Sequence, residues 1–170
     1  LTLGFARHPD ISTLVIPDER SAAYIGLGLS QSLQEPVALV CTSGTAAINF
    51  APAVAEAYFN EVPLLILTCD RPATWLHQQD GQMVNQQHVF TGHVKQQHQL
   101  PDNYIHSDSD IFTNRILNQS INNLTTSPAG PIHINIPIRE PFYPEVNEEF
   151  IFNNNIRIIE EPKTVKSLSS

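Results

Sequence analysis

Two unbroken apolar runs, "PVALVCT" (36–42) and "PLLILTCD" (63–70), constrain the fold of this chain more than any other feature. Neither alternates polar with apolar residues, so neither suits a strand with one wet face. Each reads instead as a strand of a parallel sheet covered on both sides. Between them, "GTAAINFAPAVAEAYFNE" (44–61) carries Ala46, Phe50, Ala53, Val54, Ala57 and Tyr58 on one helical stripe. Pro52 lies inside that stripe and predicts a kink or two helical pieces. Upstream, "STLVI" (12–16) predicts another strand. Ala22, Ile25, Gly26, Leu29 and Leu33 then mark the inner face of a helix over 21–33, with Asp18 as its N-cap. Strand, helix, strand, helix, strand is the order of an open, mostly parallel α/β sheet with helices on both faces.

The pattern lapses after the second run. From Arg71 to His88 the chain is polar and rich in amides: Gln78, Gln79, Gln82, Asn85, Gln86 and Gln87. A loop that long without a hydrophobic period points to function or disorder. "KQQHQLP" (95–101) predicts a short edge strand. Leu117, Ile121 and Leu124 mark a helix that stops at "SPAGP", and "IHINIPI" (132–138) alternates as a strand does. Beyond "REPFYP" the composition turns to Asn and Glu, so the chain divides into a domain over 1–143 and a linker over 144–170.

A domain of 170 residues with 41% hydrophobic composition can bury one core without disulfides. The net charge of −8 argues against a nucleic-acid backbone as partner. Cys41 and Cys69 each end an apolar run and read as reduced, intracellular core thiols. No apolar stretch approaches the roughly 20 residues of a membrane span, and the opening "LTLGFARHPD" is no signal peptide. A cytoplasmic location is expected. The opening residue is Leu, not Met, which is expected of a fragment or of a chain lacking its first residues.

In open parallel sheets ligands sit beyond the carboxyl ends of the strands. Three polar motifs fall there: "PDER" (17–20), "CTSGT" (41–45) and "TCDRP" (68–72). Each has a plain reading. Asp18 and Glu19 can cap a helix and favour its dipole. Thr42–Thr45 can be a turn with an N-cap, or can cradle an anion on backbone amides; the P-loop lysine and the Rossmann glycine spacing are missing. "DRP" can be a local ion pair and turn, or Arg71 can clamp a carboxylate. His88, His93 and His98 recur every five residues, on different helical faces and without a Glu or Cys to complete a set, so no metal site is expected there. Ser43 lies outside a G-x-S-x-G elbow, which disfavours a serine hydrolase.

In order and spacing, however, "DERSAAYIGLGLSQ…PVALVCTSGTAAINFAPAVAEAYFNEVPLLILTCDRP" resembles the pyrimidine-binding domain of thiamine diphosphate enzymes. It is most similar to the branch that serves menaquinone biosynthesis. The resemblance runs from Leu1 to about Tyr143, with the "GQ" of the polar loop included. It implies that Glu19 is catalytic: its carboxyl shares a proton with N1′ of the cofactor's aminopyrimidine and so activates the cofactor. An acid with that task is best desolvated, and an uncharged helix beside a strand end suits it. The resemblance further implies that Thr42, Ser43, Gly44, Thr45 and Gln82 line the cofactor, and that Arg71 and Gln82 meet substrate. Gly81 stands where some relatives carry Asn, one polar contact fewer. The implied substrates are 2-oxoglutarate, which loses CO₂, and isochorismate, which receives the succinyl-semialdehyde unit.

The resemblance also implies parts outside these 170 residues. A first central strand and a "GSRS"-like loop would precede Leu1. The diphosphate and its Mg²⁺ would be held by another domain through a "GDG…N" pattern. The site would form between protomers of a homodimer or a dimer of dimers, so this piece alone is expected to show no turnover. Two other readings compete: a different 2-oxoacid-using thiamine diphosphate enzyme of acetolactate synthase or decarboxylase type, and a non-catalytic dimerisation module.

Overall fold

The computed structural model describes residues 1–139, 151–153 and 156–160. Its core is a four-stranded, all-parallel sheet in the order β1-β2-β4-β3. The strands are β1 (Val37–Cys41), β2 (Leu64–Asp70), β3 (Gln96–Gln99) and β4 (Ile132–Pro137). The helices are α1 (Thr2–Arg7), α2 (Glu19–Leu33), α3 (Thr45–Asn49), α4 (Ala51–Phe59) and α5 (Ser107–Thr125). Single 3₁₀ turns lie at Ala73–Trp75 and Gln86–His88.

The two apolar runs form the neighbouring strands β1 and β2, paired in register from Val37↔Leu64 to Cys41↔Thr68. One face of this pair packs Leu39, Cys41, Leu64 and Ile66 against Ala23 and Leu27 of α2, and against Ala46, Phe50, Val54 and Ala57 of α3 and α4. The opposite face joins Leu67 and Ile134 to Ile116 of α5, with Phe5 of α1 at the margin. Helices therefore cover both faces, as the unbroken apolar runs require. The break at Pro52 is also real: α3 ends at Asn49, α4 starts at Ala51, and the proline occupies the first turn of α4, where its missing N–H costs nothing. "QQHQ" is an edge strand, pairing with β4 alone.

Three expectations need correction. Residues 12–16 form no strand. They join no ladder, and Leu14 and Val15 are 69% and 77% exposed; β-branched content cannot hold a strand without a neighbour to bond. The buried face of α2 is Ala23, Gly26, Leu27 and Ser30, not the stripe through Ile25, Leu29 and Leu33, which stay exposed. Both stripes have helical spacing, and the one with smaller side chains wins because it lets α2 lie close to β1. Tyr58 is exposed at the end of its stripe. The strand expected over 132–138 is β4, and its polar residues are interior: His133 and Asn135 are fully buried along with Ile132 and Ile134. The expected boundary at 143 falls outside the described residues. The described parts of 144–170 carry no helix or strand, and Asn118 and Asn122 of α5 hydrogen-bond the backbone of Arg157 and Ile159.

Candidate active site

Because all four strands run parallel, their carboxyl ends at Cys41, Asp70, Gln99 and Pro137 share one edge of the sheet. The loops that leave this edge bring three of the expected residues, Ser43, Gly44 and Gln82, into contact and set Arg71 against the same polar loop. Gly44 has φ +86°, in a region that side chains rarely adopt, and a Cβ there would overlap the carbonyl oxygen of Gln82. Glycine is needed at 44 so that the turn after β1 can touch the polar loop. Gln82 is itself left-handed at φ 63°, and its Nε2 donates to the Ser43 carbonyl at 3.0 Å. Arg71, half-buried, leans on the same loop through Nη2 to the Gly81 carbonyl at 3.4 Å. Thr42 and Thr45 are exposed at the rim.

Glu19 is the first residue of α2 and is half-buried. Asp18, one residue earlier, is the cap: its Oδ1 accepts from the Ser21 N–H at 2.7 Å, and that bond holds its carboxyl below the usual range. The two acids of the junction thus divide the work, since capping is done without Glu19. Burial, then Cys69, then the Glu19 charge push the Cys41 thiol up to about 12, so the Glu19 carboxyl lies within electrostatic reach of the end of β1. Both cysteines are free.

Beneath these loops lies a buried polar network that the sequence reading did not find. Asn135 is its hub. Its Nδ2 donates to Asp70 Oδ2 and Gln99 Oε1, both at 2.7 Å. Its Oδ1 accepts from Thr68 Oγ1 at 2.8 Å and from Gln86 Nε2 at 2.9 Å. Asp70 Oδ1 accepts from the Arg71 N–H at 2.8 Å, which ties the hub to the "DRP" corner. His133 Nε2 lies 2.8 Å from Thr68 Oγ1. The threonine proton is already given to Asn135, so the imidazole must donate, which fixes the Nε2–H tautomer. The Nδ1 atom is then a buried acceptor without a partner. Burial, with His88 and His98 nearby, holds His133 down to about 4. The available signal was a pair of polar residues, His133 and Asn135, inside an otherwise apolar strand.

Residues 1–99 match the family described as thiamine pyrophosphate enzyme, N-terminal TPP binding domain. The chain belongs to this family. Among curated relatives it is similar to the 2-succinyl-5-enolpyruvyl-6-hydroxy-3-cyclohexene-1-carboxylate synthase of Cytophaga hutchinsonii, 43% identical over 169 residues, 99% of this chain and 30% of that protein. The synthase of the same name from Bacteroides fragilis is 44% identical over 81% of this chain and 25% of its own length. That of Porphyromonas gingivalis is 44% identical over 84% and 25%. The chain thus spans about 25 to 30% of the length of these three relatives.

The residues present suit the pyrimidine end of a thiamine diphosphate cofactor: Glu19 is a half-buried residue whose charge reaches the end of β1, and a carboxyl there is fit to bond a ring nitrogen. They do not suit its metal. Among the described residues no three His, Cys, Asp or Glu side chains converge as a metal site. No helix of the described residues is long and apolar enough to cross a membrane.

Proposed function

We propose that this chain is the pyrimidine-binding part of a thiamine diphosphate-dependent synthase of menaquinone biosynthesis, one that decarboxylates 2-oxoglutarate and adds the succinyl-semialdehyde unit to isochorismate. The relatives' shared name supports this reading. The observation that carries it is Glu19: a half-buried acid, relieved of capping by Asp18, at the same sheet edge as Gly44, Gln82 and Arg71. The bound cofactor supplies carbanion chemistry for decarboxylation and carbon–carbon bond formation.

This chain's residues do the rest. Glu19 holds and returns a proton at the cofactor's N1′. The Thr42–Thr45 turn and Gln82 line the ring. Arg71 binds a substrate carboxylate, for which a planar guanidinium is suited. The diphosphate and Mg²⁺ belong to another domain, and the complete protein is a cytoplasmic homodimer or dimer of dimers whose sites lie between protomers.

The test is Glu19→Gln in the complete protein. Cofactor binding is expected to persist, while turnover falls by about 10²–10⁴-fold, the usual contribution of a positioned proton-transfer group. Turnover near that of the parent would overturn the assignment.

A further inference from the structure

We infer that Gln86 is a positioning residue for this site: its carboxamide, locked through Asn135, holds the Gly44 turn, the Cys69–Arg71 corner and the polar loop in one register. Gln86 is 2% exposed. Its Oε1 accepts from the Gly44 N–H at 2.7 Å. Its Nε2 donates to the Cys69 carbonyl at 2.6 Å and to Asn135 Oδ1 at 2.9 Å. One side chain therefore joins the loop after β1, the end of β2 and the middle of β4.

The orientation has no alternative. Turning the Gln86 amide over would aim NH₂ at the Gly44 N–H and oxygen at two acceptors. With both amide protons used and the group out of solvent, Gln86 is placed to act on the site without touching a ligand. The route is short. Gly44 abuts the Gln82 carbonyl, and Gln82 returns a bond to Ser43. Whatever shifts Gly44 shifts Gln82.

The functional half of this inference rests on the thiamine diphosphate reading, and the experiment separates the two. In the complete protein, Gln86→Met keeps the side chain's length and removes all three bonds. Without cofactor, hydrogen exchange of peptides spanning 42–46 should accelerate about tenfold, the scale of one buried hydrogen bond. Thiamine diphosphate with Mg²⁺, titrated by intrinsic fluorescence, should bind about tenfold more weakly, with a smaller change in KM for the oxo acid. Parent-like exchange at 42–46 would overturn the clasp, and faster exchange with parent-like cofactor affinity would overturn its role in the site. A parent protein that binds no thiamine diphosphate would sink the functional reading and leave the exchange result to judge the clasp.

Gln86→Glu provides the second variant should Gln86→Met not fold. Protonated, it keeps the Gly44 bond and one donation; ionised, it faces two acceptor oxygens. Its exchange and cofactor affinity, relative to the parent, should worsen as pH rises between about 5 and 8, since burial among acceptors raises a carboxyl pKa. The surrounding titratable groups, Asp70 and Cys69 of β2, His133 of β4 and His88 of the same turn, are common to both proteins and cancel in the ratio. A ratio flat with pH would refute the hydrogen-bond account.

Discussion

Asn135 uses every hydrogen-bonding position of its carboxamide inside the protein, and His133, two residues away, leaves one unused. That contrast governs how the molecule should respond to acid. Protonating His133 at Nδ1 would place an N–H in a buried spot that offers it no acceptor. The unfolded chain takes up this proton near 6.5 and the folded chain near about 4. Between those values the unfolded state binds more protons, so the contribution is intact above 6.5 and is lost as pH falls through the window, by about 3 kcal/mol in all. Urea midpoints at pH 7 and pH 5 should differ by more in the parent than in His133→Gln. Equal differences would contradict the buried neutral imidazole.

At the scale of elements, the seating of α2 on β1 depends on the absence of a side chain. A Cβ at Gly26 would lie 2.5 Å from Leu39 Cδ2, the end of a side chain that can rotate aside. Gly26→Ala should therefore be close to neutral, because the gain in helix propensity offsets the crowding. Gly26→Leu has no such escape and should cost about 1–3 kcal/mol by overpacking, measured by equilibrium urea unfolding. A Leu variant as stable as the parent would mean that α2 rides higher on the sheet. Lys95 secures the other side of the sheet: its Nζ donates to the Asn123 and Thr126 carbonyls and so satisfies the C-terminal end of α5.

For the molecule as a whole, the described residues gather an acid, an arginine and amides at one edge of the sheet. If Glu19 serves a cofactor held by a partner protomer, two inactive variants should complement each other. Complete protein carrying Glu19→Gln, mixed with protein altered in its diphosphate-holding domain, should recover about one quarter of parental turnover, because half the dimers are mixed and each has one intact site. Absence of recovery after verified subunit exchange would place Glu19 and the diphosphate in the same protomer.

Local pattern alone determined a good deal. Unbroken apolarity identified β1 and β2 as strands covered on both faces, the proline at 52 divided α3 from α4, and Asp18 was legible as a cap. These follow from interactions among residues close in the chain, which periodicity and propensity record. Tertiary structure alone decided which stripe of α2 faces inward, that residues 12–16 join no sheet, and that the polar residues of β4 are buried. It also decided what the glutamines of the polar loop do. Gln86 bonds partners 42 and 49 positions away, and whether a buried amide is satisfied depends on which distant groups the fold brings to it, a quantity that no window of sequence contains.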